Sequence, residues 1–149
     1  MSVNIQPEVV PSRRQLSLVR VTILRVGYLI VGLGNAVYRW PDLAANSDKW
    51  DLMEGAVNCM LAAMAVFMLL GLRYPRRMLP VMVFEVAWKL LWLTVVALPP
   101  WLSGGLDADT RAQAGEILWV VVPLVVVPWG YVLSQFVLAP AEPWRRRPL

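Results

Sequence analysis

The chain has 149 residues, 58% of them hydrophobic, with a mean hydropathy of +0.57 and a formal charge of +4. A soluble domain is about 45–50% apolar, and here the excess is gathered into long blocks, the signature of a membrane protein. With no histidine and a single cysteine, Cys59, the chain lacks the commonest haem and zinc ligand, an internal disulfide and a Cys-x-x-Cys redox pair.

The segment from Met1 to Gln15 is polar and carries Pro7, Pro11, Arg13 and Arg14; it reads as a cytoplasmic tail over 1–16. The apolar run behind it is too long for a cleavable signal core and lacks a small-residue cleavage site, so it reads as a retained helix. A spanning helix needs about 20 mostly apolar residues. Four segments qualify, at about 17–39, 52–72, 78–98 and 117–138. They make one domain over 17–138, followed by a basic cytoplasmic tail over 139–149. Proline or tryptophan stands near most of their ends, where helices stop and amphipathic rings meet the headgroups. The fold class expected is all-α, an integral membrane four-helix bundle.

Orientation follows from the basic residues. Arg13, Arg14, Arg73, Arg76, Arg77, Arg145, Arg146 and Arg147 fall in the two tails and the loop between the second and third helices. The other two loops hold Lys49 and Arg111, with Asp42, Asp48, Asp51, Asp107, Asp109 and Glu116. The positive-inside rule then places both termini in the cytoplasm. The positive charge is accounted for by the bilayer, and no nucleic-acid partner is expected. In the outer loop before the last helix, Asp107-Ala108-Asp109-Thr110 reads as a helix start.

The third helix holds the most unusual content. Glu85 and Lys89, four residues apart, share one helix face, and Trp88 and Trp92 lie on the same side. Lys89 falls near the middle of the hydrocarbon, where a charge costs at least about 2.5–3.5 kcal/mol by insertion scales. Such groups face the protein interior or a wet cavity. The competing reading is a self-neutralised pair that only orients the helices. Arg25 on the first helix enters to a similar depth, which makes an Arg25–Glu85–Lys89 cluster a candidate; snorkelling to the headgroups competes with it. Asn35, Glu54 and Asn58 form a second candidate, an outer polar layer, if Glu54 turns inward rather than staying solvated. In the fourth helix Pro123 and Pro128 break the hydrogen-bond ladder and leave carbonyls to be satisfied by neighbours. Trp88, Trp92 and Trp129 lie deep enough to line a pocket for a quinone or another flat hydrophobic ligand, with core packing as the plainer account.

The run from Gly27 to Asn35 ending in Trp40-Pro41, the opening Glu54-Gly55 of the second helix, and Gly71-Leu72-Arg73-Tyr74-Pro75 before the third resemble the DoxX-like group of small four-helix bacterial membrane proteins. The stretch Phe84-Glu85-x-x-Trp88-Lys89-x-x-Trp92 is similar to one in uncharacterised proteins of this type. The resemblance covers most of the chain. It implies the four-helix fold and a subunit associated with a quinone-linked oxidoreductase complex whose chemistry lies elsewhere; it transfers no catalytic residue.

Three functions compete. The first is a non-catalytic accessory or structural subunit of a larger membrane complex handling quinones, electrons or pigments. The second is a small transporter or channel, working as a homo-oligomer through Glu85 and Lys89. The third is a membrane enzyme using Lys89 or Glu85 as acid or base, for which the sequence offers no nucleophile–base pair. No motif for a bound cofactor or metal is visible. The candidate ligand or partner surface is Glu85, Lys89, Trp88 and Trp92, with Arg25, Asn35, Glu54 and Asn58.

Overall fold

The computed structural model describes residues 16–139, which form helices and no strands. The tails read at 1–16 and 139–149 lie outside the described residues except for Leu16 and Ala139.

Helix α1 runs Leu18–Asn46. Ser17 caps it, accepting from the Arg20 N–H at 3.3 Å and so satisfying one of the donors every helix start leaves open. The helix passes through Pro41 instead of ending there, which corrects the boundary expected at residue 39. Proline removes one ladder bond, but Asn46 donates to Asp42 Oδ1 at 2.7 Å across the next turn and holds the extension. At about 1.5 Å per residue, the 29 residues exceed the roughly 30 Å hydrocarbon thickness.

Helix α2 runs Leu52–Gly71, capped by Asp51, which accepts from the Glu54 N–H at 2.7 Å. Helix α3, Leu79–Trp92, starts with Pro80 in its first turn, where a missing N–H costs nothing. It continues through a π-turn, Leu93–Ala97, into α4, Leu98–Leu102, giving one span of 24 residues. The π-turn precedes Pro99 and Pro100 and loosens the ladder ahead of them. Thr94 Oγ1 donates towards the Leu90 carbonyl at 2.8 Å and that of Leu91 at 3.0 Å, so local carbonyls keep a partner.

Helix α5, Ala108–Ile117, starts after Asp107. A short 3-10 turn, Leu118–Val120, leads into α6, Val121–Val126. The chain then bends by 69° at Val127–Pro128 before α7, Trp129–Val132, and a second π-turn, Leu133–Val137. The helix expected over 117–138, with its ladder broken at Pro123 and Pro128, is thus two pieces, and the sharp bend falls at Pro128. Pro128 has no N–H for the Leu124 carbonyl four residues back, and the indole Nε1 of Trp129 supplies that bond at 2.8 Å. Pro128 itself (φ −79°, ψ 79°) turns the chain, with the Trp129 N–H bonded to the Val127 carbonyl at 3.0 Å, an inverse γ-turn.

Three helices, α1, α2 and the α3–α4 unit, are long and apolar enough to cross a membrane, and the bent α5–α7 pair makes a fourth if it counts as one span. Helix α1 packs chiefly on α2 and also meets α6; α3 packs on α2 and α6. The shared core joins Leu24, Tyr28 and Val31 of α1 with Leu61, Met64 and Met68 of α2 and Leu79 and Met82 of α3. Gly71 permits the tightest approach, since a Cβ there would fall on the Tyr28 ring. The Tyr28 hydroxyl donates to the Pro75 carbonyl at 3.0 Å, tying the α2–α3 loop onto α1. The opposite helix faces are apolar and exposed, as suits a lipid solvent.

Candidate functional site

Glu85 lies on α3 with no exposed surface, the one fully buried charged side chain among the described residues. Both of its oxygens are met from its own helix. Oε2 accepts a hydrogen bond from Trp88 Nε1 at 2.8 Å. Oε1 stands 2.7 Å from Lys89 Nζ, in an ion pair aligned off the hydrogen-bond directions, so that oxygen is paired by charge alone. Trp88 serves both partners: its N–H faces the carboxylate, and its ring lies 5.6 Å from the ammonium. Spacings of three and four residues make this possible, because they stack side chains on one helix face. Trp92, half-buried, continues the face one turn further.

Lys89 falls close to the midpoint of the Leu79–Leu102 span, and its side chain is 12% exposed. The carboxylate is thus sealed in, while its counter-ion reaches the rim. Taking two charges out of water costs several kcal/mol each, which close pairing only approximately offsets.

The wider cluster with Arg25 does not form. Val21, Leu24, Tyr28 and Val31 are the buried stripe of α1, and Arg25 sits on the flank of that stripe, exposed. It lines a depression with Arg76 and Arg77 of the α2–α3 loop. Depth alone suggested the cluster; the rotation of the helix decides against it.

The outer polar layer is also rearranged. Asn35 turns back to donate to the Val31 carbonyl of its own helix at 3.1 Å. Glu54 is exposed. Asn58, 5% exposed, accepts instead from Arg39 Nη1 at 2.9 Å. Arg39 was not among the candidates, although the helix expected over 17–39 contains it. The signal was present: Arg39 follows Tyr28 by eleven residues, close to three helical turns, which places it on the same face.

The described residues include two open depressions, of about 590 Å³ and 310 Å³. The larger lies between the first turn of α1 and the bend at Pro128, the smaller against the α2–α3 loop. Neither is lined by Glu85, Trp88, Lys89 or Trp92. Comparisons with protein-family models, with curated proteins and with solved structures give no match.

Proposed function

We propose that this chain is a four-helix bundle of a bacterial inner membrane, with both termini cytoplasmic, that acts as a non-catalytic subunit of a larger membrane assembly. The observation that carries the reading is the closure of the Glu85–Trp88–Lys89 group. A carboxylate held from both sides by its own helix is committed to structure and presents no open position to a substrate. The partial exposure of Lys89 near mid-span supports a protein neighbour, since a cationic head at that depth is costly against lipid tails. Trp92 and the rim of Trp88 flank that position, and a quinone or another hydrophobic ligand at this edge belongs to the same proposal. The resemblance to DoxX-like subunits points the same way.

The test is purification of the full chain from its native membrane in a gentle detergent, with protein identification and an absorption spectrum from the same sample. Stoichiometric larger partners are the expected result. A colourless homo-oligomer without partners would overturn the subunit reading in favour of the second one, a small oligomeric transporter or channel. That alternative draws on the same partly exposed Lys89 edge, with a second copy of the chain as the neighbour. It predicts a flux that Glu85→Gln and Lys89→Met abolish.

A further inference from the structure

The smaller cavity is lined by Val21 and Arg25 of α1 and by Tyr74, Pro75, Arg76 and Arg77 of the α2–α3 loop. Three arginines therefore line one depression, and no carboxylate lines it among the described residues. The arrangement is built. The Tyr28 hydroxyl fixes the Pro75 carbonyl at 3.0 Å, which pins the loop over α1. The Met78 N–H and the Arg77 N–H both bond the Tyr74 carbonyl at 3.1 Å, so the loop is a tight turn that carries both arginines on one short arc. Arg76 also donates to the Leu16 carbonyl at 3.4 Å, directing it across to the start of α1. Glu85, the deep carboxylate that could have neutralised Arg25, is occupied by Lys89 and Trp88.

We infer that this groove is a binding site for the phosphodiester headgroup of an anionic phospholipid. Like charges held together in this way repel one another and call for an anion. Guanidiniums bind phosphate oxygens through paired, charge-assisted hydrogen bonds. Arg25 lies seven residues past Leu18, about 10 Å along the helix axis, a depth from which a long guanidinium side chain reaches back to the headgroups. Basic pockets between spanning helices take acidic lipid headgroups in this way. The groove is a property of the fold; its placement in the cytoplasmic leaflet rests on the orientation proposed above.

The experiment measures phospholipid retained by the full chain after exchange from mixed vesicles into detergent, by native mass spectrometry. The probes are phosphatidylglycerol, phosphatidylcholine and inorganic phosphate. The wild type is expected to keep phosphatidylglycerol at about one per chain and to release phosphatidylcholine. Arg25→Gln is expected to weaken retention roughly fivefold, and the triple change Arg25→Gln, Arg76→Gln and Arg77→Gln roughly a hundredfold, if each arginine contributes as basic groups at anionic surfaces do. Arg73→Gln removes the same charge from the same loop but outside the groove, and should leave retention unchanged. Equal retention of the two lipids, or equal loss in Arg73→Gln and Arg25→Gln, would overturn the site. Displacement of phosphatidylglycerol by millimolar inorganic phosphate would overturn the lipid assignment in favour of a free phosphate anion. The single Arg25→Gln change keeps the test readable should the triple variant fail to fold. Retention in detergent does not depend on topology, so a reversed orientation, read by terminal reporter fusions, would move the site to the other leaflet and leave the binding result standing.

Discussion

Arg39 and Asn58 meet at 2.9 Å between α1 and α2, joining a half-buried guanidinium to an amide that is 5% exposed. The bond forms because Arg39, close to three turns beyond Tyr28, lies on the face of α1 that packs against α2. A hydrogen bond to a charged group contributes about 1.5–3 kcal/mol, and a buried group left without its partner costs a similar amount. Asn58→Leu should therefore lower stability by about 2 kcal/mol. The double change Arg39→Met with Asn58→Leu should recover much of that loss, because both polar ends go together. Unfolding in mild detergent against added sodium dodecyl sulfate reads both; an additive double variant would show that the two side chains act independently.

Glu85 and Lys89 obey a similar logic at higher stakes. Lys89→Met leaves a fully buried carboxylate with Trp88 as its remaining donor, and breaking one side of a buried pair costs about 3–5 kcal/mol. Glu85→Gln combined with Lys89→Met removes both charges and keeps an acceptor for the Trp88 N–H. That double variant should be markedly more stable than Lys89→Met alone. A double-mutant cycle of unfolding free energies decides it. If the double variant is no better than Lys89→Met, the pair is not the closed unit that the geometry describes.

These two sites show what the sequence discloses and what it withholds. The all-helical character and the existence of apolar spans were readable because about 20 apolar residues in a row have few other uses. The Glu85–Lys89 pair was readable because spacing along one helix fixes which side chains meet. Contacts between helices were not, because they depend on rotation about the helix axis. Arg25 was expected at the depth of Glu85 yet lines a depression with Arg76 and Arg77, and Asn35 bonds its own backbone instead of Asn58. The end of α1 was missed for a local reason. A proline is read as a stop, and the side-chain bond from Asn46 to Asp42 that carries the helix past it spans a turn the reading had already assigned to a loop.

The bend at Pro128 offers a cleaner test of local chemistry. Trp129 Nε1 donates to the carbonyl that proline deprives of its usual partner. Trp129→Phe keeps an aromatic ring but leaves the Leu124 carbonyl unpaired, and should cost about 1–3 kcal/mol. Pro128→Ala restores an N–H at the position the helix ladder uses, so it should reduce the 69° bend and make Trp129→Phe nearly harmless in the double variant. Distances between paired spin labels on α6 and α7 would report the straightening. An unchanged bend in Pro128→Ala would assign the break to packing around Val127 and Val132 rather than to the missing hydrogen bond.

Asp107 gives the chain an acid-sensitive point outside the spans. Its carboxylate accepts the Thr110 N–H at 2.8 Å through Oδ1 and the Thr110 hydroxyl at 2.7 Å through Oδ2, capping α5. The Thr110 backbone bond, followed by the hydroxyl bond, holds the Asp107 pKa below its ordinary value of 3.8. A carboxylate whose folded pKa is depressed stabilises the fold above its unfolded value, and that contribution fades as pH falls through the lowered folded value. Protection of the Thr110 amide against hydrogen exchange should therefore be flat from neutral pH down to the ordinary carboxylate range and should fall below it. Asp107→Asn retains a capping oxygen but has no charge to lose, so its protection should stay level across the same range. Asp107→Ala should lower protection of the first turn of α5 at every pH and leave α2, which Asp51 caps separately, unaffected. A wild-type protection profile that matches Asp107→Asn throughout would mean that the carboxylate's charge contributes nothing to the cap.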